Sequence, residues 1–313
     1  MRTGRLAPAA PETVAMRCVA LLNRDGGTLK TTDLGSLSQH IETTFRAAGH
    51  DINVRVLRSA EMNEALAALA ADPSVEVVIA GGGDGTISAA AEMAWRADKI
   101  LGVLPAGTMN LFARSLGVPL VLEGAVVALA HAPVARSDLG LIGDRPFVHQ
   151  VSIGLQADVV HDRDRMRHPS RLAKILASIR AYLRAIFRRK SFRAVLLVDG
   201  QRRRGRYSFV VVSNNVYGDG HMPYAGRLDD GLLGVYTAGR LSPLAGARLA
   251  ADLARGAWRS NPDLMFEPAR EVTVKLTRFI RRRKGLIDGE LVRLRSQSQI
   301  RILPAALKVL RPQ

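Results

Sequence analysis

A single cysteine, Cys18, occurs in 313 residues, so no disulfide can form within the chain. Its flanks, Arg17 and the apolar Val19 to Leu22, mark a buried strand position and assign it no chemistry. Aromatic residues amount to only 5%, and no recognition motif for DNA or RNA is visible, so base stacking has little to build on and nucleic acid is not an expected partner. No run approaches the roughly 18 uncharged apolar residues of a membrane-spanning helix. Met1 to Val14 is rich in Pro, Ala and Thr and carries no apolar core of a secretory signal, so the expected compartment is the cytoplasm. Acids are also scarce: 28 Asp and Glu face 45 Lys and Arg, a net charge of +17. That excess favours a polyanionic partner, whether nucleic acid, an anionic membrane or a phosphorylated substrate.

What is present is ample for a core. Hydrophobic residues make up 47%, and the length favours two domains. Met16 to Leu22 is a continuous apolar run, as in a strand buried on both faces of a parallel sheet. Leu37, Ile41 and Phe45 give helical spacing to Leu34–Ala48, which Gly49 ends. Strand, helix and strand follow at Ile52–Leu57, Glu61–Ala71 and Val75–Ala80, then a helix from Thr86 to Ala97 and a strand from Ile100 to Leu104. This alternation predicts a doubly wound α/β domain. Beyond Pro133 short β-rich runs take over: Arg145–Ile153, Phe192–Asp199, Tyr207–Ser213, Leu232–Ala238, Glu271–Leu276 and Leu291–Leu294. They predict a mostly antiparallel β-sandwich, interrupted by helices near Pro169–Arg189 and Pro243–Trp258.

Two turns stand out. Gly81-Gly82-Gly83-Asp84-Gly85-Thr86 lies where a strand ends and a helix begins. Glycines there remove Cβ atoms and permit positive φ, so backbone N–H groups can close on phosphate oxygens at a positive helix end. Asp84 can hold Mg²⁺ or orient a nucleotide; Thr86 can bond a phosphate or simply cap its helix. After the next strand, Ala106-Gly107-Thr108-Met109-Asn110 places Thr108 and Asn110 at a second helix start, expected to face the first turn across a crevice.

The segments GGGDGT and GVLPAGTMNLFARSLGVP resemble the diacylglycerol kinase catalytic-domain family, which includes bacterial soluble lipid kinases and sphingosine kinases. VSIGLQAD at Val151–Asp158, LDDGLLGVYT at Leu228–Thr237, IDGEL at Ile287–Leu291 and ILPAAL at Ile302–Leu307 continue the resemblance in order, nearly to the end of the chain. The glycine-rich loop alone is shared with NAD kinases and phosphofructokinases; the ordered set is far more specific.

The resemblance implies an ATP-binding α/β domain over residues 14–134, with a C-terminal return at 302–313, and a β-rich lipid-substrate domain over 135–301. Gly81, Gly82, Gly83, Asp84, Gly85, Thr86 and Thr108 become nucleotide-binding residues, with Asn110 beside them. Asp288 and Glu290 become the catalytic carboxylates, one of them the general base; which one stays open, and Asp288-Gly289 also reads as a plain hairpin turn. Asp138 is implicated in a Mg²⁺–water network. A structural Mg²⁺ or Ca²⁺ is implied at the Asp230 carboxylate with main-chain oxygens of Arg227 and Leu232, where Asp229-Asp230-Gly231 would otherwise be an ordinary turn. Two departures concern the adenosine side: the family's Asn-Pro-x-x-Gly turn is here Asn23-Arg24-Asp25-Gly26-Gly27, and a threonine after the second strand is replaced by Leu57, with Ser59 nearby.

His161–Arg193 is rich in arginine, with Asp162 and Asp164 its only acids; its apolar residues from Leu172 share one helical face. Such a helix lies on an anionic membrane or packs on its own domain. Arg202–Arg206 and Arg278–Lys284 extend the basic surface. The expected activity is transfer of the γ-phosphate of ATP to a lipid alcohol, by a kinase peripheral to an anionic membrane. The alternatives are an NAD kinase-like phosphotransferase and a non-catalytic membrane-binding module.

Overall fold

A computed structural model describes residues 15–154, 191–221, 223–277 and 284–313. The expected helix near Pro169–Arg189 and most of the basic run from Arg278 lie outside them.

The first strand, β1 (Arg17–Asn23), is buried from Cys18 onward, as its uninterrupted apolar run requires. Asp33 then caps α1 (Leu34–Ala47), its carboxylate accepting from the N–H groups of Gly35 and Ser36, and Leu37, Ile41 and Phe45 form the buried stripe. There follow β2 (Asp51–Leu57), α2 (Met62–Ala71), β3 (Val77–Gly82), α3 (Asp84–Arg96), β4 (Ile100–Pro105), the short α4 (Leu111–Ser115) and α5 (Leu122–Ala130). The strands pair in parallel in the order β2-β1-β3-β4. This is the doubly wound arrangement that the sequence predicts.

The rest is β-rich: β5 (Val134–Ile142), β6 (Arg145–Phe147), β7 (Gln150–Gly154), β8 (Phe192–Val198), β9 (Gln201–Tyr207), β10 (Phe209–Ser213), β11 (Leu233–Ala238), α6 (Pro243–Arg255), β12 (Leu264–Ala269), β13 (Glu271–Leu276), β14 (Lys284–Ile287), β15 (Glu290–Arg293) and β16 (Gln297–Leu310). An antiparallel six-stranded sheet, β12-β11-β10-β7-β14-β15, packs on the antiparallel part of a ten-stranded sheet through Val151, Ile153, Leu196, Val210, Val212, Val272, Val274 and Ile300. On its outer face Phe209, Val211, Tyr236 and Trp258 pack with Leu249 of α6.

The expected strand over Arg145–Ile153 is two strands, broken at Val148-His149, and Tyr207 closes β9 instead of opening β10. Helix α6 stops at Arg255 because Gly256 takes a left-handed conformation, φ 74, leaving Trp258 in a 3₁₀ turn.

The long strand β16 joins the two sheet regions. Its first half pairs antiparallel with β13, its last residues run parallel to β4, and β5 lies along both stretches. It is irregular between Leu303 and Leu307, where Ala305 has φ 52. Asp138 on β5 fills this irregularity. Its buried carboxylate accepts from Ala305 N at 2.8 Å, Gly231 N at 2.7 Å and Asn215 Nδ2 at 2.6 Å. Removing it strands one buried and two partly buried donors, so Asp138→Ala should lower unfolding stability by about 3 kcal/mol in urea titrations, and Asp138→Asn by less.

Candidate active site

The glycine turn is shaped by close approach. None of Gly81, Gly82, Gly83 and Gly85 has positive φ, contrary to one reason expected for the glycines; the space they leave is what matters. Gly81 and Gly82 finish β3, and Asp84, Gly85 and Thr86 form the first turn of α3. A Cβ on Gly107 would lie 2.7 Å from Gly83 Cα, so the two turns meet backbone to backbone. Asp84 Oδ1 accepts from Leu111 N at 2.9 Å, tying α3 to the start of α4. Asn110, itself left-handed at φ 51, accepts from Gly107 N at 2.7 Å.

Asn23 and Thr86 lie behind this surface. Asn23 Nδ2 donates to Thr86 Oγ1 at 3.0 Å, and its Oδ1 accepts from Ser59 Oγ at 2.9 Å and Asp25 N at 3.1 Å. One buried amide therefore joins the loops after β1, β2 and β3. The loop that lacks the family's proline still reaches the cleft through Gly27, whose neighbour Thr28 donates to Ala106 O at 2.8 Å.

Asp288 and Gly289 are the two central residues of the β14–β15 hairpin. Both have positive φ, 47 and 85, as a type I′ turn requires. The hairpin reading was correct, and it coexists with a place in the cleft. Asp288 is buried, and its Oδ2 accepts from Ser88 Oγ at 2.8 Å and Val148 N at 2.9 Å while Oδ1 accepts from His149 N and Gln150 N, both at 2.9 Å. Burial pushes its carboxyl above the usual range, and these four donors oppose the rise. Glu290 diverges from it: its side chain is 68% exposed and ion-paired with Arg145.

These parts line one cleft of about 620 Å³. Gly83, Asp84, Gly85 and Thr108 form one wall, Asp288, Gly289 and Glu290 another, with Ile87, Met109, Leu111, Phe112, Val148, Pro223 and Leu286 supplying apolar surface. Gly81, Gly82, Thr86, Asn23 and Asn110 support that lining from outside it. Asp138 also lies elsewhere, in the strand junction already described. Arg227 and Asp230 come together as an ion pair, Nε to Oδ1 at 2.9 Å, near Leu232 ahead of β11. The guanidinium takes Oδ1 of Asp230, so a divalent ion held by this carboxylate would use Oδ2 or compete with Arg227.

The sequence did not single out His149, Ser88, Arg145 or the N–H groups of 148–150. Ser88 was legible, one turn after Asp84 on the same face of α3. His149 carried no signal inside a strand-like run. Its ring lies at the cleft, stacked on Tyr217 at 5.7 Å, and Tyr217 stacks in turn on Tyr236 at 4.7 Å. Burial holds the imidazole down to about 4, against the pull of the Asp84 charge, so it is neutral at pH 7.

The N-terminal part matches the diacylglycerol kinase catalytic domain over residues 17–142, and the C-terminal part matches the YegS C-terminal NAD kinase β-sandwich-like domain over residues 149–311. The two matches follow the two sheet regions, a diacylglycerol kinase-type catalytic domain followed by an NAD kinase-like β-sandwich domain. The chain belongs to the diacylglycerol kinase catalytic-domain family, with the YegS-type C-terminal domain. It is 25% identical over 248 residues to an uncharacterized protein of Synechocystis sp., 75% of this chain and 54% of that protein. It is 30% identical over 198 residues to a YegS-like lipid kinase of Chromohalobacter salexigens, 60% of this chain and 62% of that one. The chain therefore spans only 54% and 62% of the length of these two relatives. A Bacillus subtilis diacylglycerol kinase is 26% identical over 265 residues, 80% and 85% of the two chains. A crystal structure of a Bacillus anthracis diacylglycerol kinase superposes with a TM-score of 0.73 over 96% of this chain and 98% of its own, at 19% identity, a likeness of fold.

Asp288→Ala leaves four donors unpaired and should cost about 3–5 kcal/mol in denaturant unfolding, far more than a surface Asp→Ala change. The folded-state value of His149 near 4 lies below the 6.5 of a free imidazole, so the unfolded chain takes the proton first. Stability from this group should fall as pH drops from 6.5 toward 4, by up to ~3 kcal/mol. Asp288 works in the opposite sense, so the difference between wild type and His149→Gln across urea titrations isolates the histidine. A difference that does not change with pH would reject the buried neutral imidazole.

Proposed function

We propose that the chain is an ATP-dependent lipid kinase, transferring the γ-phosphoryl group to the hydroxyl of a lipid alcohol such as diacylglycerol. The observation that carries this is the shared cleft, in which a phosphate-sized glycine turn and an acidic hairpin face one space with apolar walls. Family membership supports the class of reaction; the acceptor and the residue roles are our reading.

The N–H groups at the start of α3 and of the second turn, with the Thr108 hydroxyl, would hold phosphate oxygens at a positive helix end. Asp84 keeps Oδ2 outside any hydrogen bond among the described residues and fits a hard cation. Mg²⁺ held there would neutralise charge on the bridging phosphates. Glu290 is the better base. All four acceptor positions of Asp288 are occupied by protein donors, which leaves it no lone pair for a substrate proton. Glu290, open to the cleft and oriented by Arg145, can take the proton as the lipid oxygen attacks the γ-phosphorus and the bond to the β-phosphate breaks, releasing ADP. Asp288 would then act by holding 148–150 and α3 in place, and the neutral ring of His149 would sit between the phosphate and acceptor ends. The apolar walls and the +17 charge support a lipid acceptor at an anionic membrane over a soluble one.

Labelled ATP offered with mixed lipid vesicles, and separately with NAD and soluble sugars, should yield labelled lipid; label only in soluble products would overturn the proposal. Glu290→Gln and Asp84→Asn should each lower turnover by roughly 10²–10⁴-fold with the fold intact. Undiminished activity in both would remove these assignments.

A further inference from the structure

Strand β9 is one edge of the ten-stranded sheet, and it is unusually basic. Alternation sends Arg203, Gly205 and Tyr207 toward the sandwich side, where Arg203 ion-pairs with Glu267 of β12. Arg202, Arg204 and Arg206 are left exposed on the opposite face. The register places them directly across from Leu197, Val195 and Arg193 of β8. Lys275 of β13 and Arg301 of β16, both exposed, belong to the same outward rows.

Six cations therefore share one sheet face with a single acid, Glu271, which is bonded to Gln299. Among the described residues none of the six makes an ion pair. Arg193 and Arg206 even stand opposite each other, a like-charge juxtaposition that costs stability in a sheet. Half-buried Val195 and Leu197 lie between the arginines, and among the described residues the outward rows of these strands carry no aromatic ring for a base. Planar guanidinium groups on a flat surface, with short apolar side chains between them, complement phosphodiester headgroups arrayed in a plane.

We propose that the outward face of β8, β9, β13 and the first half of β16 is the surface by which this protein docks on anionic phospholipid headgroups of a bilayer. It rests on the reading of the protein as a lipid kinase and specifies how the kinase reaches its acceptor. Docking sets where the enzyme works; the cleft sets what it does.

The test uses the full chain with phosphatidylcholine vesicles, with and without phosphatidylglycerol, in a flotation assay at low and high salt. Wild type should bind only vesicles containing phosphatidylglycerol and release at high salt. R202Q/R204Q/R206Q should weaken partition about 100-fold, each cation being worth roughly a factor of five at a charged surface. R46Q/R55Q/R96Q, which removes the same charge from the α/β region, should bind like wild type. K275Q/R301Q, on more central strands, should give a smaller loss and covers the case in which the triple variant does not fold. Activity on lipid dispersed in neutral detergent should be unchanged in the β9 variant, which separates docking from chemistry: an inactive wild type would sink the kinase reading while vesicle binding still reports on the surface. Equal binding of the β9 and control variants, binding indifferent to phosphatidylglycerol, or capture by a nucleic acid competitor in place of vesicles would overturn the docking proposal.

Discussion

A single buried carboxylate, Asp288, fixes the relation between the two halves of the cleft. Its donors come from α3 of the parallel-sheet region and from the segment 148–150 that leads into β7. A charge out of water is tolerable only when such partners replace its hydration. Losing the geometry that supplies them would leave an unpaired buried anion, so the hairpin tip is held against the end of α3 by an electrostatic requirement that greasy packing alone would not impose. The type I′ turn is what delivers the carboxylate there, because it reverses the chain in two residues and lifts Asp288 off both strands.

Asp138 solves a parallel problem some distance from the cleft. A strand that serves both an antiparallel and a parallel sheet changes partners along its length, and the irregularity at 303–307 exposes an N–H that no ladder satisfies. The Asp138 carboxylate accepts from it and from two other loops. Two aspartates thus do similar work in different places: one closes the seam between sheets, the other closes the cleft. The second has its neighbours arranged around the cleft of about 620 Å³.

Legibility in the sequence followed the range of the interactions involved. The parallel-sheet region was readable almost element by element, since its strands are uninterrupted apolar runs and its helices carry clean stripes such as Leu37, Ile41 and Phe45. The glycine turn and the second turn were readable because close backbone approach demands residues without Cβ. Strand β9 was not, because three exposed arginines hide an alternation whose inward members include Arg203 and Gly205. Strand β16 was not, because its polar outward row and its break at 303–307 conceal a single fourteen-residue strand. The separation of Asp288 from Glu290 could not be read either: two residues apart in sequence, they are parted by a turn whose effect depends on what it packs against. His149 falls in the same class, its chemistry set by surroundings contributed from far along the chain, at Tyr217 and Asp84 alike.

The departures on the adenosine side have a structural answer. Replacing Pro by Arg24 frees a backbone N–H, and that N–H donates to Leu57 O at 2.9 Å. Asp25 reaches across to Ser59 N at 2.8 Å, and the Ser59 hydroxyl closes the knot on Asn23. The two departures are therefore one arrangement, with the loops after β1 and β2 zipped together by hydrogen bonds where a proline would have stiffened one of them alone. Polar groups of Asn23, Asp25 and Ser59 are spent on each other in this knot. On the kinase reading proposed above, a nucleotide base beside this knot would be left to main-chain groups and to the exposed Thr108 turn, a site that would grip phosphates firmly and read the base loosely.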